Sequence, residues 1–397
     1  MLHTLRFSNF YSFLDEVEVS FAMDGRAAKN EKSCESEAQG GRYSKILAVV
    51  GANGAGKTNV IKPFAFITWF LRSSFVTEKD DAIYVRPHFF REDESSNFEL
   101  TFEVKSRVFK YELRATPKKV VFESLQEKTS RLWSTLFTRE LEENGESYNI
   151  KQRGFGFDSR VAIKTKKNAS LIAAAAHHDV PIAVLINDEF SKVSSNINAM
   201  GRNPFTGFHD VISVTSFYEE HEKYKDMMVK HLKDWDLGLS DVSINRFKHL
   251  DPEGEEFEVL MPFGIHTYNG KKFEMPLLAE SSGTQAAYVL LSKLLPVLDE
   301  GGVVVYDELE ADLHPHMLDS ILELFFNPKT NPHNAQIIFT THSVEILNEL
   351  QKCQILLVEK RDGVSDAWKL SDMAGVRSDD NFYAKYMSGT YGAVPNF

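Results

Sequence analysis

Eight consecutive residues, Gly51-Ala52-Asn53-Gly54-Ala55-Gly56-Lys57-Thr58, have the spacing G-x-x-x-x-G-K-T. That pattern holds phosphate. Backbone N–H groups of a glycine-rich turn, together with the positive end of a following helix, attract an anion. Lys57 would reach the β- and γ-phosphates and the Thr58 hydroxyl would ligate Mg²⁺, while Asn53, Gly54 and Gly56 shape the cradle. A carboxylate pair, Asp307-Glu308, closes the apolar run Val303-Val304-Val305-Tyr306. In a nucleotide site Asp307 would hold Mg²⁺ directly or through water, and Glu308 would orient and polarise the attacking water. Ser281-Ser282-Gly283-Thr284-Gln285 opens an apolar-rich stretch. Small polar residues at a helix start bind anions, and they equally serve as a plain cap, with Ser281 or Ser282 at the N-cap. His342 ends the stretch 336–341, which reads as a strand, and there it could hydrogen-bond a γ-phosphate or serve as a partly buried structural histidine. His314 and His316 have no nearby cysteine or further ligand, which is a poor basis for a metal site.

The elements that must position these groups are legible around them. Residues 45–50, apolar from Ile46 to Val50, read as a buried strand; residues 59–73 read as a helix, with Pro63 in its first turn or two or kinking it. Strand, turn and helix are the context a phosphate loop needs. Asp307 and His342 also fall at strand ends, where open α/β sheets bind ligands. Residues 1–21 read as two strands around a turn at 9–13, and 24–43 as an exposed loop. Residues 98–104 alternate apolar and polar, and with 108–113 and 119–122 they predict an antiparallel meander. Asn144-Gly145 marks a hairpin turn, residues 169–180 have helical composition up to Pro181, and 198–210 form a loop. Phe217, His221, Tyr224, Met228, Leu232 and Trp235 recur at three- and four-residue steps, which predicts one amphipathic helix over 216–235, packed on its own domain or on a partner.

Composition sets the bounds. The chain has 397 residues, 43% of them hydrophobic, and a formal charge of −12. The length permits one large α/β domain or two to three smaller ones. The charge excludes indiscriminate nucleic-acid binding. Local basic groups remain: Lys105, Arg107, Lys110, Arg114, Lys118 and Lys119, then Lys151, Arg153, Arg160, Lys164, Lys166 and Lys167. They could contact a DNA backbone or occupy a solvated strand face. Two distant cysteines, Cys34 and Cys353, suit a reducing cytosol. No run approaches about 18 apolar residues, so no membrane span is expected, and the expected location is cytoplasmic.

The order phosphate loop, serine-glycine signature, apolar-Asp-Glu, Thr340-Thr341-His342-Ser343 resembles an ABC-type ATPase head. Asn53 in the loop, the opening Phe7-Ser8-Asn9-Phe10-Tyr11-Ser12-Phe13, and Glu310-Ala311-Asp312-Leu313-His314-Pro315 are similar to the RecF, SMC and OLD branch. The tail 386–395 resembles the OLD-like AAA-family class, which includes RloA-like, AbiLi-like and PARIS AriA-like anti-phage ATPases. The resemblance implies an α/β head with a mixed central sheet, an antiparallel β-subdomain, a helical subdomain and no long coiled coil. It divides the chain into an N-terminal half of the head with phosphate loop and meander (1–140), a helical insert (141–257), and a C-terminal half with signature, Walker B strand and switch histidine (258–397).

By the same resemblance, two copies sandwich two ATP–Mg²⁺. Ser282 and Gly283 of one copy contact the γ-phosphate held at Lys57 of the other, His342 is the switch histidine, and residues 311–314 cross the dimer seam. The chain departs from its relatives at Tyr11, where Arg or Lys is common, and at Thr284, in place of a second signature glycine. For a glutamine lid, Gln126 stands only by default. About 55 residues follow His342, too few for a further domain of typical size, so no Toprim nuclease is expected in cis. The implied role is an oligomerising ATPase that regulates a separate effector nuclease, such as a Toprim or RloB/AriB-like protein, in anti-phage defence. The alternatives are a RecF-like DNA-repair ATPase and an ATP-bound scaffold with little turnover.

Overall fold

The computed structural model describes residues 1–25, 30–38, 40–198, 201–250 and 256–395. Its centre is a six-stranded sheet built from the continuous apolar runs, which can be buried on both faces. The order is Val193–Ser195, Val303–Tyr306, Gln336–Thr340, Ile46–Gly51, Ile355–Arg361, Val364–Lys369. The first five strands are parallel and the last is antiparallel, so the sheet is mixed. Parallel pairing brings the carboxyl ends of four apolar strands to one edge. Gly51, Asp307, Thr341 and Lys360 meet there although the sequence scatters them.

Alternation along each strand divides the interior in two. Leu47, Val49, Val305 and Ile338 face a core shared with Phe7, Phe10 and Phe70. Ile46, Ala48, Val50, Val304 and Phe339 face a second core with Leu291, Leu295 and Ile321. The first core is closed by a seven-stranded antiparallel sheet, in the order Tyr148–Gln152, Leu132–Leu141, Val120–Thr129, Arg107–Ala115, Ser96–Val104, Leu2–Ser8, Val17–Ser20. This is the expected meander, extended at both ends by the N-terminal hairpin and by the hairpin that turns at Asn144-Gly145.

The helix Lys57–Ser73 runs on through Pro63, which lies in its second turn. The alanine-rich helix is Leu171–His177, capped by Ser170, whose Oγ accepts from the N–H groups of Ile172 and Ala173. Pro181 opens the next helix, Pro181–Ser191, instead of ending the previous one. A first-turn proline has no intrahelical N–H bond to lose.

The expected helix 216–235 is in fact two, Phe208–Glu220 and Glu222–Asp234, parted at His221 with φ −128° and ψ 77°. His221 Nδ1 lies 2.9 Å from the Phe217 carbonyl oxygen, and the ring stacks on Phe217 at 4.8 Å. The imidazole thus shares the Phe217 carbonyl with the His221 N–H, which bonds it at 3.1 Å. The aromatic seam is present, and it marks a joint. The first of these helices starts at Phe208, within the expected loop 198–210, of which residues 199–200 lie outside the described residues. In 24–43, residues 26–29 and 39 lie outside the described residues, and Ser33–Glu35 pairs with Arg42–Ser44.

The sequence reading placed no strands at Asp241–Leu250, Glu256–Tyr268 and Lys271–Pro276, which form a three-stranded antiparallel sheet. With the helices Phe208–Glu220, Glu222–Asp234 and Ser282–Glu300 it makes the layer over the second core. Ser282–Glu300, with 19 residues, is the longest described helix, so the described residues contain no long coiled coil. None of the described helices is long and apolar enough to cross a membrane.

Candidate functional site

The strand Ile46–Gly51 ends where the backbone must turn sharply. A Cβ at Gly51 would lie 2.2 Å from the Val358 carbonyl oxygen of the neighbouring strand, so only glycine fits. Gly56, just before the helix, has φ +113°, and a Cβ there would meet Ser365 Oγ at 2.6 Å. Ser365 Oγ donates to the Ala55 carbonyl at 2.6 Å and lies 2.8 Å from Ser12 Oγ, to which Asn59 Nδ2 donates at 2.9 Å. The turn after the first strand and the last hairpin of the sheet therefore brace the phosphate loop from outside. Lys57 is 7% exposed. Its Nζ donates to the carbonyls of Gly51 (2.9 Å) and Ala52 (3.2 Å), the loop's own acceptors. Burial lowers its pKa, and Asp307 and Glu310 partly restore it.

Asp307 is 3% exposed. Thr58 Oγ1 lies 2.9 Å and 3.1 Å from its two carboxylate oxygens. Thr340 Oγ1 donates to Oδ1 at 2.7 Å and itself accepts from the Glu308 N–H at 2.7 Å. Asn196 grips the same corner through its main chain: Oδ1 accepts from the Asp307 N–H (2.7 Å) and Nδ2 donates to the Asp307 carbonyl (2.9 Å). Glu308 has φ +53°, a left-handed conformation uncommon outside glycine, held by these bonds. Its carboxylate is paired with Arg202, and His342 Nε2 stands 3.9 Å away. The His342 pKa is lowered by burial and by the Lys57 charge, which favours neutral imidazole.

Eight of the residues singled out from the sequence line one open cleft of about 560 Å³: Asn53, Gly54, Gly56, Lys57, Thr58, Asp307, Glu308 and His342. Asn59 and Lys360 complete it. A hydroxyl facing a buried carboxylate is a hard oxygen donor set, and it fits Mg²⁺.

Ser282 and Gly283 do not line this cleft. They start the helix Ser282–Glu300, with Ser281 as the N-cap accepting from the Thr284 N–H at 3.2 Å. Ser282 is exposed, and a Cβ on Gly283 would lie 3.4 Å from the Asp312 carbonyl, so this helix start sits beside residues 311–314. Gln126 lies in the antiparallel sheet, donating to Glu112 at 3.1 Å, and is not a cleft residue. Tyr11 carries the Lys62 ammonium over its ring at 3.9 Å. His314 and His316 stand 5.2 Å apart, and the described residues contain no metal-ligating group of three.

Several of the basic residues are engaged internally. Arg107 pairs with Glu127 at 2.6 Å, Lys110 with Glu112 at 3.2 Å, Arg160 with Asp158 at 3.1 Å, and Lys166 donates to the carbonyl of Phe75 at 2.8 Å.

Sequence reasoning missed Asn196, Arg202, Ser365 and Lys360. Lys360 had a signal, since it follows the apolar run 355–358 at a strand's carboxyl end. Asn196 had none: its strand, Val193–Ser195, is three half-buried residues long and shows no apolar run.

One family model covers most of the chain. The family described as "AAA domain, putative AbiEii toxin, Type IV TA system" matches residues 46–348, which include both halves of the cleft. No curated protein matches the chain. Among solved structures the chain is similar to an Smc head bound to the C-winged helix domain of ScpA (14% identity, 92% of this chain and 96% of that one, TM-score 0.43). It is also similar to the Smc head domain with an extended coiled coil from Pyrococcus furiosus (14% identity, 93% and 96%, TM-score 0.39). A third is the Smc head domain with a coiled coil and joint from Pyrococcus yayanosii (12% identity, 98% and 99%, TM-score 0.41).

Proposed function

The chain belongs to this AAA-domain family, and from that premise we propose that it binds and hydrolyses ATP with Mg²⁺, pairs through the bound nucleotide, and uses the paired state to control a separate effector. The observation that carries this reading is the Thr58–Asp307 hydrogen bond. It joins the phosphate loop to a strand end 249 residues later, at the place a magnesium-bound triphosphate requires.

Lys57 exchanges the loop carbonyls for β- and γ-phosphate oxygens, which hold more negative charge. Thr58 and Asp307 would hold Mg²⁺, which would offset the charge of the phosphates. Glu308 accepts a hydrogen bond from the attacking water and aligns it on the γ-phosphorus. His342, largely neutral, can donate to that phosphate. The exposed helix start at Ser282–Gly283 is free to meet the nucleotide of a second copy, so ATP joins the heads and hydrolysis releases them. The effector is a nuclease of Toprim or RloB/AriB-like type and the setting is anti-phage defence in the cytoplasm. The toxin–antitoxin wording of the family description and the tail 386–395 support that setting.

Steady-state phosphate release with Mg²⁺ tests the reading. Wild type turns over, Lys57→Ala loses ATP binding, and Glu308→Gln binds ATP but releases phosphate at least about 100-fold more slowly, the scale expected for a lost general base. Stable oligomers with no turnover would favour the scaffold reading. Glu308→Gln hydrolysing at the wild-type rate would remove Glu308 from the chemistry.

A further inference from the structure

Glu308 lines two cavities. One is the phosphate cleft; the other, of about 160 Å³, lies toward the signature helix and is lined by Asn196, Arg202, Ala286, Lys293 and Asp312 among others. Arg202 reaches Glu308 from this second side. Its Nη1 pairs with Oε2, while Oε1 faces His342 at 3.9 Å. The guanidinium thus holds one carboxylate oxygen, and the other lies beyond hydrogen-bond distance of His342.

The placement of Arg202 is built into the fold. The residue lies in the two-residue strand Gly201–Arg202, antiparallel to Ile197–Asn198, with Ile197 opposite Arg202. Ile197 is buried in the first core. The Asn203 N–H donates to the Asn196 carbonyl at 2.7 Å, closing the hairpin onto the asparagine that grips Asp307. One short segment therefore holds the backbone of Asp307 and the side chain of Glu308 together.

We propose that Arg202 is a latch on Glu308: it occupies the carboxylate in the nucleotide-free head and must release it before the head turns over. The proposal rests on Glu308 being the group that polarises water. A cation on a carboxylate draws on the lone pairs that would accept the water's hydrogen, so the paired carboxylate is the weaker base. Arginine stays charged at any physiological pH, so release needs a competing acceptor. Asp312 lines the same cavity and belongs to the loop beside Ser282 and Gly283. A second copy docking on that loop would bring Asp312 to the guanidinium and free Glu308. Arg202 is 24% and Glu308 41% exposed, so the pair is partly screened by solvent and the restraint is a modest one.

The test is steady-state ATPase kinetics on the full chain, with ATP affinity and melting temperature measured alongside. Arg202→Gln should raise turnover by roughly two- to five-fold, the span a partly exposed ion pair can hold, with ATP affinity within about two-fold of wild type. Arg202→Lys, a looser partner, should fall between wild type and Arg202→Gln. Adding Arg202→Gln to Glu308→Gln should change nothing. Turnover of Arg202→Gln at or below the wild-type rate, with an unchanged melting temperature, overturns the latch. If Arg202→Gln does not fold, Arg202→Lys decides in the same way. A wild-type rate in Glu308→Gln would defeat the reading of Glu308 itself; an inactive Glu308→Gln beside an unaccelerated Arg202→Gln would defeat the latch alone.

Discussion

At the scale of single residues, Asn196 separates positioning from chemistry. Its amide satisfies the N–H and the carbonyl of Asp307 at once, at 2.7 and 2.9 Å, and touches no group proposed to react. Asn196→Ala would leave both main-chain groups unpaired, at about 1–3 kcal/mol for each buried group left without a partner. We expect ATP to bind within a few-fold of wild type while turnover falls roughly ten-fold, the kinetic mark of a loss felt mainly beyond the ground state. Isothermal titration beside phosphate release separates the two, and equal losses in both would contradict the assignment. Residues with a fixed pattern were legible: Lys57 and Thr58 stand in the phosphate-loop spacing, and Asp307 and Glu308 close an apolar run. Residues such as Arg202 and Asn196 were not, because a lone polar residue in a short segment has no periodicity to betray it.

At the scale of elements, the antiparallel sheet and the helix Leu171–His177 are joined by a buried carboxylate. Glu123, fully buried, accepts from Tyr111 Oη (2.9 Å), Ser170 Oγ (2.7 Å) and the Leu171 N–H (2.9 Å). Arg139, equally buried, stands 3.5 Å away and donates to the carbonyls of Lys166 and Ala169. Burial and the adjacent Glu123 carboxylate push the Tyr111 pKa well above its ordinary value, so the phenol stays a donor. Removing one partner leaves the other charge buried and unpaired. Glu123→Ala should therefore cost about 3–5 kcal/mol in urea unfolding, and a loss under 1 kcal/mol would show that water or rearrangement compensates. Strands with alternation or long apolar runs were legible at this scale. The helix break at His221 and the sheet over 241–276 were not. The first is a change of backbone angle at one residue, His221, within a continuous apolar period. The second exposes large apolar residues such as Phe247, Tyr268 and Phe273, which blurs the inside–outside pattern that marks a half-buried strand.

At the scale of the whole molecule, the mixed sheet explains why a cleft whose parts are spread over most of the chain is readable from three motifs, the phosphate loop, Asp307-Glu308 and His342. Parallel pairing carries each motif to the same edge. The packing of the two cores sets a pH limit as well. His231 is buried against the second layer, and burial lowers its pKa below the ordinary 6.5, with Lys230 lowering it further and Asp234 opposing. The unfolded chain thus binds its proton at a higher pH than the folded one. Stability from this group is complete above about pH 6.5 and is lost as pH falls through the lowered value, with a slope of at most about 1.4 kcal/mol per pH unit. Urea midpoints of wild type and His231→Gln between pH 8 and 5.5 check the sign: wild type should lose more stability than the variant on acidification, and parallel curves would contradict it.

The central claim is that the cleft and the exposed helix start at Ser282 belong to one nucleotide site made by two copies. The molar mass of Glu308→Gln in solution, with and without ATP–Mg²⁺, tests it most directly, beside Glu308→Gln/Ser282→Arg. The account predicts a nucleotide-dependent doubling, or a higher even multiple, that the added arginine abolishes while ATP binding persists. A mass that ignores ATP, or an ATP-dependent assembly indifferent to Ser282→Arg, would contradict it.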